Sequence, residues 1–100
     1  MEIRQTQEFA RWLDGLRDLR ARARVQARIE RLIWGNPGDI RPIRGGICEL
    51  RIHYGPGYRV YLLPKGQTLT ILLAGGDKSS QNSDIETAIA LAKNLDQAEH

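Results

Sequence analysis

The side chains able to do chemistry concentrate between Ile47 and Leu63. Cys48, Leu50, Ile52 and Tyr54 alternate there with Glu49, Arg51 and His53. That period of two sends one set toward a core and the other to the opposite face of a strand. Gly55-Pro56-Gly57 reverses the chain. Proline suits the first central position of a type II turn, and Gly57 can take the positive φ of the second. Tyr58, Val60 and Leu62 then alternate with Arg59, Tyr61 and Leu63. One face of the resulting hairpin gathers Arg51, His53, Arg59 and Tyr61: two permanent cations, one group able to titrate and one phenol. Guanidinium groups bind phosphate or carboxylate oxygens in bidentate fashion.

Those strands need a frame. Glu2–Gln5 reads as a short N-terminal edge strand. Thr6 caps a first helix with Glu8 in its first turn, and Phe9, Trp12, Leu13 and Leu16 recur at the spacing of one helical face. Asp18 caps a second helix running from Leu19 to Trp34, closed by Gly35 or Asn36 in the left-handed conformation and stopped by Pro37. Ala21, Val25, Ile29, Leu32 and Ile33 form its apolar stripe, and Arg17, Arg20, Arg24, Arg28 and Arg31 gather in an arc beside it. Two readings of that arc stay open. It is either a solvated face of good helix formers or a surface covered by an anionic partner. Glu30 is the only acid inside the helix, and unpaired like charges at i, i+4 cost a few tenths of a kcal/mol each. Trp12 and Trp34 read as helix packing, Tyr54 and Tyr58 as core or edge aromatics.

Residues 35–46 form a connection rich in turn formers, with a brief strand through Ile40–Ile43. Lys65-Gly66-Gln67 is a turn into the strand-like Thr68–Ala74. Gly75-Gly76-Asp77-Lys78 reads as an irregular end where backbone N–H groups and Lys78 can meet an anion. Ser83 and Glu86 are spaced as a capping box, opening a last helix with Ile85, Ala88, Ile89, Ala92 and Leu95 on one face. Residues 96–100 are polar and expected to fray. The fold class is α+β. An antiparallel sheet of three or four strands carries an N-terminal helical hairpin on one face and a C-terminal helix near its end. The two apolar helices need only one side of the sheet, so the polar face of the hairpin is expected to be open.

Residues 1–100 suit a single domain. A composition of 41% hydrophobic and 27% charged residues excludes wholesale disorder. The net charge of +3 rests mainly on arginine, with Lys65, Lys78 and Lys93 as the lysines. Cys48 is a single cysteine, which excludes an internal disulfide and a cysteine-based metal site. His53 and His100 have no carboxylates at ligand spacing, and the glycines lack P-loop spacing, so no metal or cofactor is expected. With no signal peptide and no long apolar run, the expected compartment is the cytoplasm, without membrane attachment.

The Glu49-Leu50-Arg51-Ile52…Gly57-Tyr58-Arg59-Val60-Tyr61 hairpin, the Gly75-Gly76-Asp77-Lys78 strand end and Phe9…Trp12-Leu13 in the first helix resemble the RelE/ParE toxin superfamily. The match is to its HigB-like, phage-related addiction-module killer branch, and it covers nearly the whole chain. The resemblance implies a small basic toxin neutralised by a cognate antitoxin protein, acting on mRNA at the ribosome as a metal-independent endoribonuclease. Arg59 matches the family's arginine after Gly-Tyr on the middle strand. Arg51 and His53 match basic residues on the strand before it, and Lys78 a basic group at the end of the last strand. Several ribonuclease members also carry a catalytic tyrosine or histidine near the C-terminus. The last helix here has neither, and His100 sits in the tail. The ParE branch shares the fold and poisons DNA gyrase instead.

Cleavage of RNA without a metal requires deprotonation of the ribose 2′-hydroxyl, stabilisation of the phosphorane's charge and protonation of the leaving 5′-oxygen. Arg59 and Arg51 suit the second task. His53, whose unperturbed pKa is about 6.5, suits proton transfer. Tyr61 suits orienting the substrate or stacking on a base, and Lys78, Arg24, Arg28 and Arg31 suit phosphate contacts. For each exposed strand residue the alternative is plain solvation. At the level of the whole protein the alternatives are a non-enzymatic gyrase poison and a regulatory binding module that kills nothing.

Overall fold

A computed structural model describes residues 1–98 of the protein. The elements are β1 (Glu2–Gln5), α1 (Gln7–Asp14), α2 (Leu19–Ile33), β2 (Ile40–Pro42), β3 (Cys48–Ile52), β4 (Tyr58–Lys65), β5 (Leu69–Asp77), a 3-10 turn (Lys78–Ser80) and α3 (Gln81–Ala98). The five strands form one sheet in the order β1-β5-β4-β3-β2. The sheet is mixed, where the sequence predicts a purely antiparallel one. β2 to β5 form an antiparallel meander, but β1 pairs in parallel with β5. A parallel neighbour needs a long connection, and α1, α2 and the meander lie between β1 and β5.

The starts of α1 and α2 behave as their caps predict. Thr6 Oγ1 accepts from the Phe9 amide at 3.0 Å and donates to the Leu73 carbonyl at 2.6 Å, so one hydroxyl starts α1 and ties it to β5. Asp18 Oδ1 accepts from the amides of Arg20 and Ala21 and starts α2. The Arg22 guanidinium then donates to the carbonyls of Leu13 and Asp14. Those acceptors lie at the end of α1, where carbonyls lack helical partners, so Arg22 locks the helical hairpin. Gly35 closes α2 with φ +80°.

Both faces of the sheet are covered. Phe9, Leu13, Val25 and Leu32 from α1 and α2 pack on Leu50, Ile52, Val60, Leu62 and Leu72. On the other face Ala88 and Ala92 of α3, with Ile85 and Ile89, pack on Ile47, Tyr61, Ile71, Leu73 and Ala74. The expectation of an open polar face is therefore corrected. α3 has an apolar stripe of its own to bury, and alternate residues of β4 and β5 offer the matching surface. Burial of apolar surface from both sides, roughly 25 cal/mol per Å², holds α3 on the sheet.

Three local readings also change. The reversal after β3 is bonded from the Gly57 amide to the Tyr54 carbonyl, one residue earlier than predicted, because Gly55 takes a positive φ of 55°. β5 continues through Gly75 and Gly76 to Asp77 rather than ending in an irregular anion-binding loop. The glycines are required by close packing: a Cβ on Gly75 would overlap the Trp12 indole, and one on Gly76 would overlap the Asp84 carboxylate. The Ser83/Glu86 capping box does not form. α3 begins at Gln81 behind the 3-10 turn, Ser83 donates to the Ser80 carbonyl, and Glu86 pairs with Arg44. Of the residues expected to fray, 96–98 are helical and Glu99 and His100 lie outside the described residues. Among the described residues no helix is long and apolar enough to cross a membrane.

Candidate nucleic-acid interface

Strand register assembles the basic residues. β3 and β4 place Arg51 opposite Arg59 and Glu49 opposite Tyr61, and β2 places Arg41 opposite Glu49. Two arginines facing each other across a ladder repel, and Glu49 answers that repulsion. Its carboxylate is fully buried, and three guanidiniums converge on it: Arg51 Nε at 3.0 Å, Arg41 Nε at 3.4 Å and Arg59 Nε at 3.7 Å. Gln81, the first residue of α3, donates to its other oxygen at 2.8 Å. Burial alone would raise the Glu49 carboxyl. The hydrogen bonds from Gln81 and Arg51, with the charges of Arg41 and Arg59, outweigh it and hold the group below its ordinary range.

Within ion-pair distance the guanidiniums outnumber the carboxylate, and Asp77, held low by hydrogen bonds from Ser79 and in part by the charge of Arg59, adds a second acid at the cluster's edge. One carboxylate faces three guanidiniums, and Lys78 stands at the start of the 3-10 turn close by. A Cβ on Gly57 would lie 3.4 Å from Arg59 Nη1 and 3.8 Å from Lys78 Cβ, so the β3–β4 turn packs beside the Arg59 guanidinium and the root of the Lys78 side chain. Arg59 Nη1 donates to the Gly57 carbonyl at 2.8 Å, while its Nε is buried without a hydrogen-bond partner. The Arg59 side chain is 12% exposed and that of Arg51 27%. Their orientations are fixed by packing, with an edge left to solvent.

The structure brings Arg51 and Arg59 together, roots Lys78 beside the same turn, and separates the other predicted residues from them. Tyr61 is fully buried between the sheet and α3, so it cannot stack on a base. No hydrogen bond of normal length reaches its hydroxyl, and burial, then the neighbouring charge of Glu49, pushes the phenol far above its usual range. His53 lies one residue beyond the end of β3, and the chain turns it toward α2. There its Nε2 meets Asp39 Oδ2 at 2.5 Å, and that hydrogen bond, the largest cause, holds the Asp39 carboxyl below its ordinary value. Arg28 is not free for phosphate either. Its guanidinium donates to the carbonyls of Arg51, Pro37 and Asp39 and staples α2 to the sheet edge. Burial, followed by the charge of Arg31, lowers its pKa. Arg24 lies over the Tyr54 ring at 4.6 Å. Arg24 and Arg31 line a groove of about 300 Å³ with Ala27, Arg28, Ile52 and His53.

Sequence reasoning missed Glu49 and Gln81 as organisers of the cluster. Glu49 was legible in part, since an acid two residues before Arg51 shares its strand face. Gln81 was not, because its role depends on where α3 docks.

No family model matches the chain. It is 52% identical over 95 residues to an uncharacterized protein of Haemophilus influenzae, covering 95% of this chain and 96% of the relative. The chain belongs to the same family as that protein.

Proposed function

We propose that this protein is the toxin of a type II toxin–antitoxin module, binding RNA phosphates through Arg51, Arg59 and Lys78 and cutting mRNA on the ribosome in the cytoplasm. A cognate antitoxin would hold it silent. The observation that carries this reading is the excess of guanidinium charge fixed around the buried Glu49, at the end of the sheet beside Lys78. Preorganised donors of this kind act where charge develops in a transition state, and removing one typically costs about 10²–10³ in rate.

In the reaction the ribose 2′-oxygen attacks the adjacent phosphorus, the P–O5′ bond breaks, and a cyclic phosphate and a 5′-hydroxyl result. Arg59 and Arg51 neutralise the phosphorane's added charge. His53 leaves the catalytic set, because it faces α2 rather than Arg59. The chain's contribution is then electrostatic, with proton transfer supplied by Lys78, ribosomal groups or water.

Arg59→Ala tests the proposal. Expressed without antitoxin and checked for folding by circular dichroism, the variant should lose toxicity and the mRNA breaks seen by primer extension, while Arg59→Lys retains part of both. A folded, fully toxic Arg59→Ala would sink it. One observation favours a second reading, a non-cutting poison of the gyrase type: His53 and Tyr61, the predicted proton carrier and stacking group, both lie away from the cluster's open edge. DNA-damage signalling with intact mRNA would select that reading.

A further inference from the structure

Trp34, which the sequence places in helix packing, is 81% exposed at the C-terminal cap of α2. Trp12 does pack, seated against Gly75 with its ring near Phe9 and Tyr58. At about 100° per residue, Arg24, Ala27, Arg31 and Trp34 share an arc of roughly 80° on α2. That arc borders the groove closed on its far side by Ile52 and His53. Among the described residues neither Arg24 nor Arg31 meets a carboxylate. Asp39, bonded to His53, stands at the groove's rim, and Asp18 accepts from the hydroxyl of Tyr54 beneath Arg24. The groove is thus basic, with an apolar floor from Ala27 and Ile52, and helical geometry sets the exposed Trp34 about one turn beyond Arg31 on the same arc.

We infer that this groove and Trp34 form a second nucleic-acid contact that holds an unpaired RNA strand, one base stacked on the indole and the adjoining phosphates on Arg31 and Arg24. A cationic track with an open aromatic face suits any single strand, since every base has a π-face and every nucleotide a phosphate. An acidic polypeptide would satisfy the guanidiniums but would also need an apolar side chain placed over Trp34. The surface lies on the α1–α2 side of the sheet, opposite the face that carries Glu49, and requires neither cleavage nor toxicity.

The test uses the full chain and a labelled 12-nucleotide single-stranded RNA, followed by anisotropy and by tryptophan emission. Wild-type emission should be quenched on binding. Trp34→Ala should weaken binding about tenfold, and Trp34→Phe should stay within about threefold of wild type, as stacking predicts. Arg31→Ala should reduce the slope of log K against log salt by about 0.7, one phosphate contact on a single strand. Trp34 is mostly exposed, so these variants fold, and Trp12 remains as an internal reporter. Unchanged affinity in Trp34→Ala overturns the inference. Displacement of the RNA by polyglutamate, with polyglutamate binding itself dependent on Trp34, assigns the surface to an acidic polypeptide and also overturns it. The two proposals fail separately. Unchanged RNA binding in Trp34→Ala beside a harmless Arg59→Ala removes only the groove. Lost RNA binding in Trp34→Ala beside a fully toxic Arg59→Ala removes only the reading of the Glu49 cluster.

Discussion

Replacing Glu49 by glutamine keeps the side chain's shape and removes its charge, leaving three guanidiniums around a buried neutral amide. The loss can be worked from the contacts. Glu49 accepts hydrogen bonds from Arg51 at 3.0 Å and from Gln81 at 2.8 Å. Hydrogen bonds to a charged group contribute about 1.5–3 kcal/mol each, and removing one partner of a buried pair costs about 3–5 kcal/mol. Glutamine can still accept one bond, so the expected loss is about 3 kcal/mol. In a domain of this size that lowers Tm by about 12–24 °C. Urea unfolding of both proteins, with double-mutant cycles against Arg51 and Arg41, measures it. The Arg51 cycle should give a coupling of about 1.5–3 kcal/mol. The Arg41 cycle should give about 0–1 kcal/mol, because Arg41 is 52% exposed and solvent screens its charge. Acid adds a check on sign. The Glu49 carboxyl is held low in the folded state, so its contribution is fully present above the unfolded value of about 4.3 and is lost as pH falls through the folded one. The difference between wild type and Glu49→Gln should stay flat above about pH 5 and shrink below about pH 4.3. A loss under about 1 kcal/mol, or equal couplings to Arg41 and Arg51, would mean that water already shields the cluster and would refute this account.

Two further perturbations test the packing that shapes the site. Gly75→Ala sets a methyl group against the Trp12 indole, which is hemmed in by Phe9 and Tyr58. It should cost about 1–3 kcal/mol or more in urea unfolding, and more than Gly76→Ala, whose methyl meets an Asp84 carboxylate that can rotate aside. The opposite order would show that Trp12 moves freely. Tyr61→Phe deletes a buried hydroxyl that has no hydrogen-bond partner, so it should raise stability by about 1–3 kcal/mol and leave toxicity unaffected. A loss above about 1.5 kcal/mol would mean that the hydroxyl is bonded after all.

The sequence by itself determined the elements, because their signals are local. Thr6 and Asp18 start helices through hydrogen bonds to amides two or three residues away. Alternation along β3 and β4 sorts residues onto two faces, as Val60 and Tyr61 do in the two cores. The pairing of Arg51 with Arg59 also follows from the hairpin alone, once the turn length is known. Only the tertiary structure decided which face stays open. Local spacing gives α3 an apolar stripe but not its destination, and docking on the sheet closes Tyr61 and turns the polar face into a half-buried charge cluster. The fate of His53 was equally beyond local reading, since β3 ends at Ile52 and Asp39 awaits on the neighbouring strand's approach. Trp34 gives the converse case. Its spacing from Val25 and Leu32 puts it beyond the last turn that α2 buries, and only the end of the sheet shows that nothing in the described chain covers it. Period and capping act within a few residues, whereas burial and charge depend on which surfaces meet, and that is settled across the whole chain.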